Sequence, residues 1–348
     1  MPRILILPPH DLGGPWTDPP DPSEPDRGKT FRLLAAQGYS YRRLDPCGRP
    51  WNPFADAHPI LRAIDPVRAW RVLLFHRRTD VVLCFFESAA LVILLLRRVF
   101  LFRGRVAVYD VGVESGSRLR NIILRLVLPR ADMLLPLGHN QTAGLLLMGA
   151  RPCTLHPVRD TTAIDFFVDA GDRPGGYILA VGDDVSRDYT TLLEACVGLR
   201  REVIIRSSIV AENSQQCTKI KVLPDRLTTR DYQRLIAGAA LVVLPLHPST
   251  HAGGVSTLLE AMSSGKAVIV SASPGLADYV ENGRTCCVVP PGDPAALRGA
   301  IDTLLSDTRA RSRLGTNARQ FVVENCSADA DAAQFAEALD RLIGRGCR

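Results

Sequence analysis

The chain has 348 residues, of which 46% are hydrophobic, and a formal net charge of +6 at pH 7. This length exceeds one ordinary domain and suits two, each large enough to bury its own core. The nine cysteines are odd in number and form neither a Cys-x-x-Cys pair nor a Cys/His metal spacing, which argues against a secreted disulfide framework and against a metal site. We therefore expect a two-domain protein in a reducing, cytoplasmic compartment.

The N-terminal segment, MPRILIL, has a short apolar run after one arginine and no small-residue cleavage site. It predicts a first β-strand and not a signal peptide. The longest apolar run, residues 89–96, ends at Arg97 and Arg98 and is too short to span a bilayer.

Short apolar runs alternate with helical patterns through the first half, which is typical of βαβ units and parallel sheets. The predicted strands are 3–7, 39–44, 80–86, 105–111, 132–137 and 153–158. The predicted helices between them lie near 28–37, 59–77, 88–102, 115–129 and 139–149.

An excess of arginine marks residues 60–130, where thirteen arginines face five acidic residues. Such a surplus predicts an anionic partner. Because it borders the apolar stretch LVILLLRRVFLF, a membrane surface fits better than nucleic acid, for which the sequence has no motif. The alternative is a set of solvated arginines around an ordinary buried helix.

The second half repeats the strand and helix pattern. Its predicted strands are 176–182, 202–207, 219–223, 240–245, 267–272 and 286–290, and three helices should follow Pro294. The domains expected from this repeat are 1–160, a linker at 161–175 rich in Asp, Gly and Pro, a second domain at 176–327, and a C-terminal helix at 328–348 that packs back toward the first domain.

The segment HAGGVSTLLEAM, residues 251–262, predicts an amphipathic helix with Val255 on its apolar face. Gly253 and Gly254 stand at the helix start, and Ser256 lies in the first turn. Free N–H groups and a positive dipole end at this point suit an anion, and glycine lets a phosphate approach the backbone. The preceding strand would put this helix start at the carboxyl edge of a parallel sheet, where open α/β folds bind ligands.

Glu260 lies six residues beyond Gly254, roughly 9 Å along the helix axis, which is about the span from a pyrophosphate to the ribose of the same nucleotide. Its helical angle points away from the apolar stripe. The alternative interpretation is an ordinary solvated glutamate.

These residues stand in a longer motif, GVSTLLEAMSSGKAVIVSASPGLADYVENGRTCCVVPPGDPAAL. It resembles the donor-binding domain of the large retaining glycosyltransferase family with the GT-B fold. The segment YILAVGDDVSRDYTTLLEA is similar to a second motif of that family, with Arg187 in the place of the phosphate-binding lysine. The resemblance implies two Rossmann-like, doubly wound parallel-sheet domains facing each other across a cleft, with Arg187 on the diphosphate and Glu260 on the ribose.

Several positions depart from the family pattern. The first of two family glutamates, which contacts the donor sugar, is replaced by Ala252, and the neighbouring His251 is the expected substitute; a loop histidine without a role is the alternative. An arginine common after the strand glycine is Asp183 here, which leaves Arg187 as the main cation for the diphosphate. The turn at Leu223 and Pro224 is expected to contact the base.

The resemblance also assigns residues in the first half. Gly13 and Gly14 follow the first strand, as in the family loop that lines the cleft facing the donor. Asp110 and His10 sit at predicted strand ends, where either could touch the acceptor; a loop-capping role is the alternative.

The expected function is transfer of a hexose-type sugar from a nucleotide-diphosphate sugar, UDP- or GDP-linked, to a hydroxyl of a glycan, lipid-linked or other hydrophobic acceptor. We expect retention of configuration, no metal or other cofactor, no nucleic-acid partner, and a cytoplasmic location with peripheral membrane contact. Three alternatives stay open: an inactive nucleotide-sugar-binding subunit, a GT-B epimerase and a GT-B phosphorylase.

Overall fold

The computed structural model describes residues 1–8, 24–26, 28–47, 65–75, 78–99, 101–111, 118–210 and 219–344. The chain divides into two compact units. Unit 1 comprises Met1–Asp18, Gly28–Val158 and Ala332–Arg348. Unit 2 comprises Pro19–Arg27 and Arg159–Asp331.

Unit 1 is built on a five-stranded parallel sheet with the strand order β2-β1-β3-β4-β5. The strands are β1 (Arg3–Leu7), β2 (Ser40–Arg43), β3 (Val81–Phe85), β4 (Arg105–Tyr109) and β5 (Met133–Leu135). The central strands are almost fully buried, as expected for parallel strands covered on both faces.

The helices of unit 1 follow the strands in alternation. They are α1 (Lys29–Ala36), α2 (Pro66–Phe75), α3 (Phe86–Arg98), α4 (Arg118–Val127) and α5 (Thr142–Leu147). Helix α3 packs on strands β3 and β4 and contacts both α2 and α4, so these three helices form one layer.

Unit 2 carries a six-stranded parallel sheet with the order β11-β10-β9-β6-β7-β8. The strands are β6 (Ile178–Val181), β7 (Val203–Arg206), β8 (Ile220–Leu223), β9 (Leu241–Leu244), β10 (Ala267–Ser271) and β11 (Cys287–Val289). All four residues of β6, β7 and β9 are buried.

The helices of unit 2 are α6 (Tyr189–Ala195), α7 (Thr229–Gly238), α8 (Val255–Ser263), α9 (Pro294–Ser306) and α10 (Thr308–Asn325). Side chains of Asp188, Thr228, Asp293 and Asp307 cap the starts of α6, α7, α9 and α10 by accepting backbone N–H hydrogen bonds. With α11 (Ala328–Ile343), three helices follow Pro294, as the sequence predicts.

The strand predicted at 153–158 is wrong. Residues Pro152–Thr154 form a short 3-10 helix, and only Leu155 makes an isolated bridge, to Leu134. His156 and Val158 still donate their N–H groups to Leu134 O and Pro136 O, but Pro136 has no N–H to donate in return, so the pairing does not extend beyond one bridge.

The segment expected as a linker, 161–175, packs within unit 2. Thr162 donates its backbone N–H to Cys326 O, and Phe166 and Phe167 are buried with their rings in an edge-to-face contact. The chain passes between the units at 158/159 and at 331/332, and the short segment Pro19–Arg27 also belongs to unit 2. Tyr39 of unit 1 donates its hydroxyl at 2.7 Å to Asp340 Oδ1, which lies in α11. This hydrogen bond ties the helix to unit 1.

The described residues contain neither a membrane-spanning helix nor a cluster of metal ligands. Helices in this part of the chain are all too short or too polar to cross a lipid bilayer. The same residues contain no group of three or more His, Cys, Asp or Glu side chains suited to a metal ion, and their cysteines are free thiols.

Candidate functional site

The start of helix α8 lies at the carboxyl edge of the second sheet, because the loop that leads into it follows strand β9. Gly254 precedes the first helical residue and has a φ of 85°, a left-handed conformation that favours glycine. No side chain caps the helix there. The first N–H groups of a helix lack intrahelical acceptors and form the positive end of its dipole, so this edge suits an anion.

The other residues predicted to bind phosphate surround this turn. Val255 is buried and Ser256 is exposed. A Cβ on Gly253 would lie 2.6 Å from Ser186 Oγ, so the glycine lets the loop after β6 approach the helix start. The structure therefore brings two separate sequence motifs together at this edge.

Arg187 is the cation at this position. Its side chain is only 2% exposed, and a Cβ on Gly254 would lie 2.6 Å from its Nη1 atom. Gly182, at the end of β6, has a φ of 144° and leaves no room for a Cβ beside the guanidinium. The backbone of Arg187 bridges Leu246, so the loops after β6 and β9 hold it from both sides.

The guanidinium of Arg187 is incompletely paired. Nη2 donates to Thr257 Oγ1 at 3.3 Å, and Asp184 Oδ2 lies 3.0 Å from Nε. Among the described residues, no group accepts a hydrogen bond from Nε or Nη1. A buried cation with unsatisfied donors beside a helix start is suited to an anion with several oxygens, such as a diphosphate.

Glu260 lies on the second turn of the same helix and is half-buried, not fully solvated. Its Oε2 atom accepts a 2.7 Å hydrogen bond from the hydroxyl of Tyr232 on helix α7. Burial first, and then the charge of Glu260, raise the pKa of Tyr232 well above its usual value, so the phenol stays protonated and donates. The carboxylate is thus held in place about two turns from the anion site.

Part of the second unit resembles a known family, in a region that contains helix α8 but not Arg187. Residues 218–321 match the family described as glycosyl transferases group 1. The match covers less than a third of the chain. An uncharacterised glycosyltransferase of Methanocaldococcus jannaschii, MJ1069, is 27% identical over 114 residues, which are 32% of this chain and 29% of that protein.

Solved structures support the GT-B fold over nearly the whole chain. Sucrose-phosphate synthase from Thermosynechococcus elongatus has a TM-score of 0.74 at 16% identity and covers 99% of this chain and 100% of its own. Anabaena HepE in complex with UDP has a TM-score of 0.67 at 16% identity and covers 97% and 100%. The predicted architecture of two Rossmann-like parallel-sheet units is therefore confirmed.

Tyr232 is the main residue of the candidate site that the sequence did not reveal. It lies four residues before the buried Ile236, a spacing that predicts a core position on helix α7. Its ring packs edge-to-face on Phe167, with centroids 6.2 Å apart. A contact with Glu260, 28 residues along the chain, depends on tertiary packing, and no local motif announces it.

Asp183 does not face the anion site as a free acid. Its carboxylate pairs with Arg206 at the end of β7 and accepts hydrogen bonds from the backbone and side chain of Ser208. Burial acts to raise the pKa of Asp183, but these hydrogen bonds and the charge of Arg206 outweigh it and lower the pKa. Arg206 therefore neutralises the acid that stands in the place of the family arginine.

His251 and Ala252 are fixed through their backbone. The N–H of His251 donates to Ser249 Oγ at 3.0 Å, and Ala252 is buried. Gly275 packs so closely on the His251 carbonyl that a Cβ would overlap its oxygen. This holds His251 directly before the glycine pair, while its role toward the donor sugar stays a prediction.

Leu223 and Pro224, predicted to contact the base, lie at the carboxyl end of β8. Leu223 accepts a backbone hydrogen bond from Ser207, and both predicted residues are half-buried. Strands β7 and β8 are neighbours of β6 in the sheet, so this turn shares the edge that carries Arg187.

In unit 1, Asp110 follows strand β4 with a φ of 52°, in the left-handed region that few residues other than glycine adopt. Its N–H donates to Leu135 O at 3.0 Å. Phe86, after the neighbouring strand β3, has a φ of 64°, so two strained residues lie side by side at this sheet edge. Gly13, Gly14 and His10 lie outside the described residues.

Proposed function

We propose that this chain transfers a hexose-type sugar from a nucleoside-diphosphate sugar to an acceptor hydroxyl. The observation that carries the proposal is the buried Arg187 guanidinium, with two nitrogens lacking acceptors among the described residues, against the uncapped start of helix α8. Glu260 lies six residues beyond Gly254, roughly 9 Å along α8, a span that would suit a ribose hydroxyl. Anabaena HepE, a structural neighbour, was solved with UDP and with UDP-glucose, which supports a nucleotide sugar as the donor. We expect this donor to be UDP- or GDP-linked.

Charge stabilisation is the chemical task of this site. When the bond between the anomeric carbon and the diphosphate breaks, negative charge collects on the leaving phosphate. Arg187 and the dipole of α8 would stabilise that charge. With this charge met by the protein, we propose a reaction that needs neither a metal nor another cofactor. We also propose that it retains configuration, as the family resemblance implies: the acceptor oxygen bonds to the anomeric carbon on the face that the diphosphate leaves, and its proton passes to the departing phosphate oxygen.

The direct test incubates the protein with UDP- and GDP-hexoses and acceptor glycans or lipid-linked acceptors, with and without EDTA, and measures release of the nucleoside diphosphate. We expect acceptor-dependent release that EDTA leaves unchanged. Tight binding of a nucleotide without any release would favour an inactive binding subunit, an alternative suggested by Ala252 in the place of a family glutamate. Conversion of the donor sugar without an acceptor would favour an epimerase.

We also propose that the layer formed by α2, α3 and α4 docks on an anionic lipid surface, which would give access to a lipid-linked acceptor. Every exposed side chain within the described stretches 65–75, 78–99, 101–111 and 121–130 is either apolar or an arginine. The apolar–arginine surface consists of Trp70, Leu74, Leu95, Arg98, Val99, Leu101, Arg103, Ile122, Arg125 and Leu126.

The composition of this surface supports an anionic lipid surface as the partner. Trp70 is 62% exposed and Leu101 is 66% exposed, which is unusual for side chains of this size in a water-facing helix layer. Aromatic and aliphatic groups insert at the level of lipid headgroups, while arginines attract anionic lipids. No exposed acid among the described residues of these stretches would repel such a surface.

Co-sedimentation with vesicles tests the membrane contact. The protein should sediment with vesicles of phosphatidylcholine and phosphatidylglycerol, and much less with phosphatidylcholine alone. Trp70→Ser together with Leu101→Ser should reduce the bound fraction severalfold, because single anchors of this kind are weak and act together. Val197→Ser, an exposed valine of unit 2, is the matched control. Equal binding by all three proteins would contradict the docking surface.

A further inference from the structure

Two side chains of α8 accept hydrogen bonds at this site. Arg187 Nη2 donates to Thr257 Oγ1 at 3.3 Å, and Tyr232 donates to Glu260 Oε2 at 2.7 Å. Thr257 and Glu260 are three residues apart and therefore lie on the same face of the helix. The helix is thus tied to the anion site through Thr257 and to α7 through Glu260.

The side chain of Tyr232 is held in place by its neighbours in unit 2. Its ring packs on Phe167, and the next residue, Gln233, donates its side-chain amide to Phe166 O at 2.5 Å. Both contacts fix the first turns of α7 against the segment 161–175. The hydroxyl that reaches Glu260 is therefore placed by the core of unit 2 and not by a flexible loop.

A glutamate on a helix surface has several rotamers, and ordering it at the moment of binding costs conformational entropy. A hydrogen bond from a half-buried hydroxyl that is itself held in place selects one position of the carboxylate before the ligand arrives. The arrangement thus holds Glu260 about two helical turns from the anion site.

We propose that Tyr232 is a positioning residue that holds the Glu260 carboxylate for the ribose hydroxyls of the donor nucleotide. The inference rests on the proposed function, in which Glu260 binds the ribose. It assigns Tyr232 no direct contact with the ligand: its effect passes through Glu260. Two consequences follow, on ribose discrimination and on the additivity of mutations.

The test measures dissociation constants of UDP and GDP, and of their 2′,3′-dideoxy analogues, by isothermal titration calorimetry. Wild type should bind the ribonucleotide at least about tenfold more tightly than its dideoxy analogue, because a charged hydrogen bond is lost. Tyr232→Phe should lower this ratio severalfold while leaving affinity for the dideoxy analogue unchanged. In a Glu260→Gln background, Tyr232→Phe should add no further loss.

Tyr177→Phe is the matched control, because Tyr177 donates its hydroxyl to Leu235 O at the far end of the same helix. Tyr177→Phe should keep the wild-type ratio of the dissociation constants for ribonucleotide and dideoxy analogue, even if its melting temperature changes. If Tyr232→Phe keeps the wild-type ratio of the two dissociation constants, the inference alone is overturned. The same holds if the variant loses affinity equally for the ribonucleotide and for its dideoxy analogue. If wild type binds neither UDP nor GDP, the proposed function falls, and this inference with it.

Discussion

Asp184 is the residue that competes with the ligand in the proposed diphosphate site. Its Oδ2 lies 3.0 Å from Arg187 Nε, and its Oδ1 accepts hydrogen bonds from the backbone and side chain of Ser186. The carboxylate therefore stands beside the guanidinium as an internal anion. A diphosphate must displace it or share the cation with it.

We predict that Asp184→Asn binds UDP or GDP more tightly than wild type, by about threefold or more, since it removes a like charge from the anion site. Calorimetric titration measures this directly. The neighbouring Asp183→Asn is the contrasting variant: it breaks the pair with Arg206 and should lower the melting temperature without raising affinity. Weaker binding by Asp184→Asn would show that its charge does not oppose the ligand.

At the scale of elements, α10 covers the end of α8 through a close backbone approach. A Cβ on Gly315, in α10, would overlap the carbonyl oxygen of Gly265 and lie 2.9 Å from its carbon. Arg311, one turn earlier, makes a two-point pair with Asp172 at 2.6 and 2.8 Å, and also donates to carbonyls at the end of α9. The helix bearing Glu260 therefore depends on this packing.

We predict that Gly315→Ala destabilises the protein by about 2 kcal/mol, because backbone must shift to admit the methyl group. Gly299→Ala in α9 provides the control: it has open space around its Cβ position and should be neutral or stabilising by about 0.5–1 kcal/mol. Urea unfolding of both variants decides the matter. Equal stability of the two would mean that α10 does not pack closely on this turn.

Lys266 joins the end of α7 to residues near Gly171. Its Nζ donates to Gly171 O at 2.9 Å and to Ala237 O at 2.7 Å, and burial, followed by the charge of Arg173, lowers its pKa to about 8. The usual value is 10.5, so between these two values the unfolded chain binds more protons than the folded one. Stability contributed by this group therefore rises with pH in that window.

We predict that the unfolding free energy of wild type minus that of Lys266→Met increases from pH 8 to pH 10, by up to about 1.4 kcal/mol per pH unit. Chemical denaturation at four pH values measures the difference, and the subtraction cancels the titration of other groups. A difference that stays flat or falls across this range would contradict the lowered pKa.

At the scale of the whole molecule, the sequence predicts most of what is local. The apolar period of residues 251–262 predicts helix α8, and the alternation of strands and helices predicts two parallel sheets. Two motifs indicate Arg187 and Glu260. It does not predict the hydrogen bond from Tyr232, because that contact depends on how α7 packs beside α8. The loop-like composition of 161–175, the segment expected as a linker, likewise does not predict that Phe166 and Phe167 are buried.

The central claim is that the buried guanidinium of Arg187, at the start of α8, binds the diphosphate of a nucleotide. Calorimetric titration of UDP and GDP into wild type and Arg187→Met tests it most directly. Met keeps an apolar stem and removes the charge, so the folded state should persist while affinity for the tighter-binding nucleotide falls at least about tenfold. If Arg187→Met folds and binds that nucleotide as tightly as wild type, the account is wrong.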